Sequence, residues 1–362
     1  MTEGPFPLPP GSMIGIVGGG QLGRMLALAA ARLGFDTVVL TPDAKHCAAR
    51  VATRTLVAPY DDADALSVLA QIADVVTFEF ENVPAAVIER LDALGVVTAP
   101  NGRALAIAQD RVDEKSFLNA CGAATVPFTA VQSADDVASA LSNLGVPALL
   151  KTRREGYDGK GQTWVEGQAD AAAAFKRIGA RPAILEAACT FVREVSVIAA
   201  RGRKGEIACY PLAENHHENG VLRRTSAPAR SSAKVTAQAE MIAARILGKL
   251  DYIGVIGVEM FELADGKLLV NEIAPRVHNT GHWTLDGCEV DPFEQHIRAI
   301  AGWPLGTTRA LAHVEMENLL GDEINQWRRI AADPEARLWH YGKGEPRPGR
   351  KMGHVNRLRQ LL

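Results

Sequence analysis

Residues 252–282 (YIGVIGVEMFELADGKLLVNEIAPRVHNTGH) constrain this chain more than any other stretch. Two β-rich runs, 253–263 and 267–273, flank Asp265-Gly266, and Asp-Gly is a favoured two-residue hairpin turn. A turn at that dipeptide sets Glu259 directly opposite Glu272. Facing residues have Cβ atoms roughly 4.5–5.5 Å apart, and like charges so placed destabilise the pair. Two carboxylates there need a proton or a cation between them. Asn271 adds another hard oxygen, and an all-oxygen set suits Mg²⁺, usually together with substrate phosphates. The plain alternative is a pair of solvated glutamates on an exposed face. The neighbours Val255, Val258, Phe261, Leu269, Val270 and Ile273 are all apolar and favour a buried pair.

A length of 362 residues allows two or three domains with real cores. A net charge of −3 gives no electrostatic case for nucleic acid or an anionic membrane. The five cysteines are scattered and form no C-x-x-C, which points to a reducing compartment. Residues 1–12 are rich in Pro and Gly, lack the features of a signal peptide, and are expected to form a disordered tail. No apolar run approaches the ~20 residues that span a bilayer. These features predict a cytoplasmic protein.

The N-terminal part alternates strands and helices. Strand 13–17 leads into Gly18-Gly19-Gly20-Gln21-Leu22-Gly23 and a helix to about 33. Strand–glycine turn–helix is a mononucleotide-type unit whose helix N-terminus can hold an anion. The spacing satisfies G-x-G-x-x-G, but strand 36–40 ends in Thr41-Pro42 without the acidic residue that holds an NAD ribose. The turn seats a phosphosugar or merely packs tightly. Further elements are expected at 55–58, 63–72, 75–81, 84–94 and 96–99, an α/β pattern that predicts a doubly wound parallel sheet. Its ligands belong at the strand C-termini, where the glycine turn and Phe78-Glu79-Phe80-Glu81-Asn82 both fall. A helical linker begins at 110, and Arg111 is either a solvated helix residue or a phosphate contact.

A second α/β unit spans about 127–200. Strand 147–150 delivers Lys151, and the loop 153–162 (RREGYDGKGQ) then sets Gly156, Gly159 and Gly161 among Arg153, Arg154 and Lys160. Glycines let backbone N–H groups approach an anion that the cations neutralise, so the loop reads as a polyphosphate cradle. It lacks the Walker A pattern, and its plain alternative is a flexible charged hairpin. Strands at 183–187 and 191–200 carry Glu186 and Glu194. The pair His216-His217 is weak evidence, and His278/His282 lack a third ligand for zinc. Residues 231–247 form an amphipathic helix, and 292–300 a short one. The remainder mixes a strand (310–317), a helix (323–332) and a basic Gly/Pro segment (342–354). That segment is a solvated loop or a phosphate clamp.

The stretches GGGQLGRM (18–25), FEFENV (78–83), GYDGKGQ (156–162), NEIAPRVHNTGHWT (271–284) and RPGRKMGH (347–354) together resemble the ATP-grasp superfamily. Within it the chain is similar to the 5-(carboxyamino)imidazole ribonucleotide synthases, over about 13–356. The resemblance implies an N-terminal α/β domain at 13–110, an ATP-grasp domain at 111–302 with a lid at about 127–200, and a small C-terminal domain at 303–362. It implies ATP contacts at Arg111, Lys151, Gly156, Tyr157, Asp158, Gly159, Lys160, Gly161, Gln162, Glu186, Ala187, Ala188, Cys189, Glu194, His217, Asn271 and Glu272. Glu259 and Glu272 would hold Mg²⁺. Aminoimidazole ribonucleotide would meet Gln21, Leu22, Glu79, Tyr157, Asp158, Asn279, Lys343, Arg350 and Lys351. Arg276, His278 and Lys351 would handle bicarbonate, and Asp158 would receive a proton. The implied partners are these small molecules, with neither nucleic acid nor membrane, and the implied assembly is a homodimer.

Three departures from the family pattern stand out. Lys160 replaces the arginine common there, a point charge in place of a bidentate fork. Ala187-Ala188-Cys189 leaves only backbone contacts to adenine. Many relatives continue beyond position 356 into a final helix. Competing readings are another ATP-grasp ligase such as the formate-dependent glycinamide ribonucleotide transformylase, a Rossmann-type oxidoreductase, and a non-catalytic nucleotide sensor.

Overall fold

The computed structural model describes residues 6–156 and 159–360. Three sheets organise it. The first is parallel, in the order β3-β2-β1-β4, from β1 (Met13–Val17), β2 (Asp36–Thr41), β3 (Arg54–Val57) and β4 (Val75–Phe78). Alternate side chains serve opposite faces. Ile14 and Ile16 join Leu22, Met25 and Leu26 of the helix Gln21–Arg32. Val38, Leu40 and Val76 pack instead on the helices Ala63–Ile72 and Ala85–Ala93. The segment 96–99, expected as a fifth strand, contributes only a single parallel bridge between Thr98 and Val76. Cis-Pro100 and the helix Gly102–Ala108 follow directly.

Of the disordered tail expected at 1–12, residues 6–12 are docked on the fold, and 1–5 lie outside the described residues. Leu8 is buried and its N–H donates to Ala301 O, while the Arg203 guanidinium covers the Phe6 ring. A proline-rich segment has little backbone freedom to lose, so two apolar side chains suffice to dock it.

The second sheet is antiparallel, in the order β5-β8-β6-β7, from β5 (Phe128–Val131), β6 (Ala148–Thr152), β7 (Gln162–Val165) and β8 (Ala183–Ala187). Ala148, Leu150, Ala183 and Leu185 face the helices Ala134–Leu144 and Ala171–Arg177. The intervening Leu149, Lys151 and Glu186 consequently point the other way, into a cleft.

The third sheet has nine strands in the order β14-β13-β9-β11-β12-β15-β17-β16, with β10 beside β9. They are β9 (Arg193–Arg201), β10 (Ile207–Cys209), β11 (Ala213–Glu218), β12 (Val221–Ala227), β13 (Gly254–Glu262), β14 (Leu268–Ala274), β15 (His313–Leu320), β16 (Ala336–His340) and β17 (Lys351–Arg359). The C-terminal residues continue this sheet through the β12–β15 pairing. Part of the basic segment is therefore strand β17, which its Gly and Pro content had masked. The helix Ala233–Lys249 covers one face. Pro292–Ile300 packs on the other, between the sheet and the helix Gln21–Arg32.

Glycine is required where the parallel sheet meets its first helix. Gly18 has φ +127°, and a Cβ there would lie 2.1 Å from Glu79 Cγ. Gly18→Ala should therefore lower stability by about 2 kcal/mol or more, read as a lower urea midpoint at unchanged slope.

Candidate active site

The hairpin that organises the sequence is present, but its turn is not the expected one. Leu263 and Lys267 close it by a 2.9 Å bond from Leu263 N to Lys267 O, leaving a three-residue loop with Gly266 at φ +76°. The pairs nearest the turn are accordingly one residue out of the expected register: Glu262 with Leu268, Phe261 with Leu269, Met260 with Val270. A β-bulge at Asn271 then restores it, and Glu259 does face Glu272. The two deviations cancel. The bulge also decides which face Glu272 serves. Leu268, Val270 and Ile273 all pack into the core beneath the helix Ala233–Lys249, so an uninterrupted period of two would have sent Glu272 there as well.

Both carboxylates instead line a cleft of about 650 Å³ between the second and third sheets. Burial and the neighbouring Glu272 push the Glu259 carboxyl up to about 7. Burial opposes ionisation of Glu272 too, but Arg111 and Lys151 hold it below the usual carboxylate range. The donor set fits a hard divalent cation. Among the described residues no cluster of three or more His, Cys, Asp or Glu side chains forms a metal cage. An ion at this pair must then draw its other oxygens from phosphates and water, as Mg²⁺ does.

One end of the cleft is cationic. Arg111 donates to Glu272 Oε2 (3.2 Å) and to Gly156 O (2.9 Å), tying the glycine loop to the hairpin. Its dipole-side position on the helix Arg111–Ala120 follows from Asp110, whose side chain caps that helix and also binds Arg153 and Arg154. Lys151 donates to Glu186 Oε2 at 2.8 Å. Burial draws the lysine down, against the carboxylate's pull. Gly156, Gly159, Lys160 and Gln162 line the cleft, as do Ala187, Ala188, Cys189 and Asn271. Gly161 closes the base of the loop, its carbonyl accepting from Thr152 N at 2.8 Å. Tyr157 and Asp158 lie outside the described residues. Glu194 and His217 pair closely, and although burial works against it, this contact raises the histidine.

The other end lies where the third sheet meets the first. Gln21, Leu22, Arg276, His278, Asn279 and Lys351 converge there. His278 packs over Gly257, where a Cβ would come within 2.7 Å of its own. Burial and the adjacent Arg276 keep the imidazole neutral, and its Nδ1 lies 3.0 Å from Thr280 Oγ1 and 3.6 Å from Glu259. Asn279 presents a buried amide whose nitrogen and oxygen find no partner among the described residues. Such a group is costly unless a ligand or water satisfies it.

Three implied contacts are arranged differently from the rest. Glu79 is turned toward the glycine turn, accepting from Gly20 N and, at 2.6 Å, from Gly23 N. The N-terminal anion site of the first helix is thus filled by the protein's own carboxylate. Lys343 and Arg350 sit on the loop between β16 and β17. Burial, with Arg350 nearby, lowers the Lys343 amine to about 8, and Arg350 donates to Glu345 O at 3.3 Å.

Sequence reasoning placed Glu81 at a ligand-facing strand end without giving it a role, and passed over Glu114 and Lys115. Glu81 binds the Arg276 guanidinium across the boundary between sheets. Despite burial, that contact brings its carboxyl down to about 2. The only sequence signal was its place in Phe80-Glu81-Asn82, beyond the end of a strand.

A two-part grasp around a cationic cleft, with paired acids on adjacent strands facing it, defines an ATP-grasp ligase. Family models agree along the chain: a ribonucleotide synthetase preATP-grasp domain matches 12–109, an ATP-grasp domain 116–293, and a phosphoribosylaminoimidazole carboxylase C-terminal domain 315–360. The N5-carboxyaminoimidazole ribonucleotide synthase of Brucella melitensis is 50% identical over 354 residues, covering 97% of this chain and 98% of that one. The Staphylococcus aureus N5-carboxyaminoimidazole synthetase complexed with ADP superposes with a TM-score of 0.93 at 38% identity, covering 97% and 94% of the two chains. The Aspergillus clavatus synthase, solved with ADP and 5-aminoimidazole ribonucleotide, gives 0.90 at 30% identity over 97% and 94%. The chain belongs to the N5-carboxyaminoimidazole ribonucleotide synthase family. Among the described residues no helix is long and apolar enough to cross a membrane.

The Glu81–Arg276 pair generates a prediction. A carboxyl lowered from 4.5 to about 2 stabilises the fold above pH 4.5 and loses that contribution as pH falls toward 2. Glu81→Gln should therefore cost about 2 kcal/mol at neutral pH, and the gap to wild type should close on acidification. Denaturation curves across that pH range, with kcat measured alongside, test it.

Proposed function

We propose that this chain carboxylates 5-aminoimidazole ribonucleotide on its exocyclic amine, consuming ATP and bicarbonate in purine biosynthesis. The observation that carries the reading is the convergence in one cleft of the Glu259/Glu272 pair with Arg276, neutral His278 and Lys351. A phosphate-handling end and an anion-handling end then share one enclosed space.

Glu259 and Glu272 would hold Mg²⁺, which when bound neutralises charge on the ATP phosphates. Arg111, Lys151 and the Gly156–Gly159 backbone would bind those phosphates, stabilising charge as it develops rather than forming covalent bonds. Arg276 is anchored by Glu81, and Lys351 reaches the cleft from the start of β17, so both would present cations to bicarbonate. A bicarbonate oxygen attacks the γ-phosphorus, the bond to the bridging oxygen breaks, and ADP leaves. Carboxyphosphate then splits into CO₂ and phosphate, and enclosure keeps water from wasting it. The amine nitrogen attacks CO₂ and gives up a proton, which the family resemblance assigns to Asp158. His278, kept neutral by burial and Arg276, would offer a hydrogen bond to the reacting group without adding charge. The amide of Asn279, without a partner among the described residues, suits the ribonucleotide. We also propose that the enzyme works in the cytoplasm as a homodimer, which sedimentation would test.

Phosphate release from ATP should need bicarbonate and aminoimidazole ribonucleotide together, failing when either is omitted. Glycinamide ribonucleotide with formate should not support it, and if it did the sister ligase would be the better assignment. Lys351→Ala should reduce carboxylation by roughly 10²-fold or more while leaving ADP affinity within about threefold. The reverse pattern would move Lys351 to the nucleotide.

A further inference from the structure

Strand β14 is the outer edge of the nine-stranded sheet, and an edge strand leaves backbone groups that need cover. One face of the helix Arg111–Ala120 supplies it. Three consecutive strand residues meet three helix residues at i, i+3 and i+4, the spacing that shares a helix face. Lys115 Nζ donates to Asn271 O at 3.1 Å, Arg111 reaches the Glu272 carboxylate at 3.2 Å, and Ile273 N donates to Glu114 Oε1 at 2.7 Å. Just before them, Val270 N donates to Ala124 O at 2.7 Å. The bulge is therefore gripped on every residue it contains.

Glu114 is 2% exposed and Lys115 1%. Adjacent ionisable side chains buried that deeply are rare, because an apolar pair would pack the same helix face at lower cost. Their partners are backbone groups of Asn271 and Ile273, which flank Glu272 on either side. Lys115 also lies 3.3 Å from Glu186, which Lys151 holds from the second sheet. The arrangement links the strand irregularity to the cationic end of the cleft.

We propose that Glu114 and Lys115 are positioning residues for the reaction: they hold the Asn271–Ile273 bulge in the register that turns Glu272 toward Glu259. The inference rests on the reading of Glu259 and Glu272 as the metal-holding pair. Without the grip, the strand is free to exchange the bulge for a regular ladder, and a regular ladder points Glu272 into the core.

The test measures ADP affinity with and without Mg²⁺ on the full chain, and amide exchange over residues 268–276. Glu114→Ala and Lys115→Met should each weaken the Mg²⁺-dependent gain in ADP affinity by about tenfold, leave metal-free ADP binding within about twofold, and speed exchange across the bulge. Glu114→Gln keeps an acceptor for Ile273 N and should restore wild-type values. A purely structural role would lower the melting temperature without touching the Mg²⁺-dependent gain, and that result overturns the proposal. Equal behaviour of the Ala and Gln variants overturns it too. If Glu114→Ala does not fold, Lys115→Met, which removes only the contact to Asn271 O and Glu186, decides. Glu272→Gln separates the underlying reading: loss of the gain there with none in the positioning variants refutes the grip alone, whereas retention of the gain in Glu272→Gln refutes the metal-pair reading.

Discussion

One extra residue in one strand sets the chemistry of this molecule. The bulge at Asn271 turns Glu272 out of a hydrophobic core and into a cleft, opposite a second carboxylate that cannot leave. Two acids held face to face repel unless something positive lies between them. Burial raises the stakes, since the cleft offers Glu259 little water with which to spread its charge. The pair is therefore a standing demand for a cation, built into backbone geometry rather than into a loop.

The surrounding cations answer that demand unevenly. Arg111 leans toward Glu272, while Lys151 and Lys115 are already engaged by Glu186. Arg276 is committed to Glu81 and His278 is kept uncharged by the same burial and by that arginine. Lys151 and Arg276 thus have orientations set by Glu186 and Glu81, outside the Glu259/Glu272 pair. Such preorganisation is what transition-state stabilisation by charge requires, because little rearrangement remains to be done when phosphate transfers.

Much of this was legible in the chain. Elements with strong periodicity fell where the pattern put them, including the helices Ala63–Ile72 and Pro292–Ile300 and the strand Ala183–Ala187. The Glu259–Glu272 pairing was legible as well, though through a turn type that the structure does not use. A local rule names Asp-Gly as a two-residue turn, but the three-residue loop and the downstream bulge are settled by which faces the core requires. The strands β16 and β17 were hidden because pairing across a sheet, not composition, makes Gly353 and His354 extended. Glu114 and Lys115 were hidden for another reason. Their partners are backbone atoms more than 150 positions away, and no spacing in a sequence records such contacts.

The continuity of the third sheet carries a mechanical implication. Glu259 on β13 and Lys351 on β17 belong to one hydrogen-bonded slab, whereas Lys151 and the glycine loop belong to a separate four-stranded one. Hinging of the smaller slab would open or shut the cleft without altering the spacing between Glu259 and Lys351. So built, the molecule would work as a vice, the nine-stranded sheet its stationary jaw and the four-stranded sheet its travelling one.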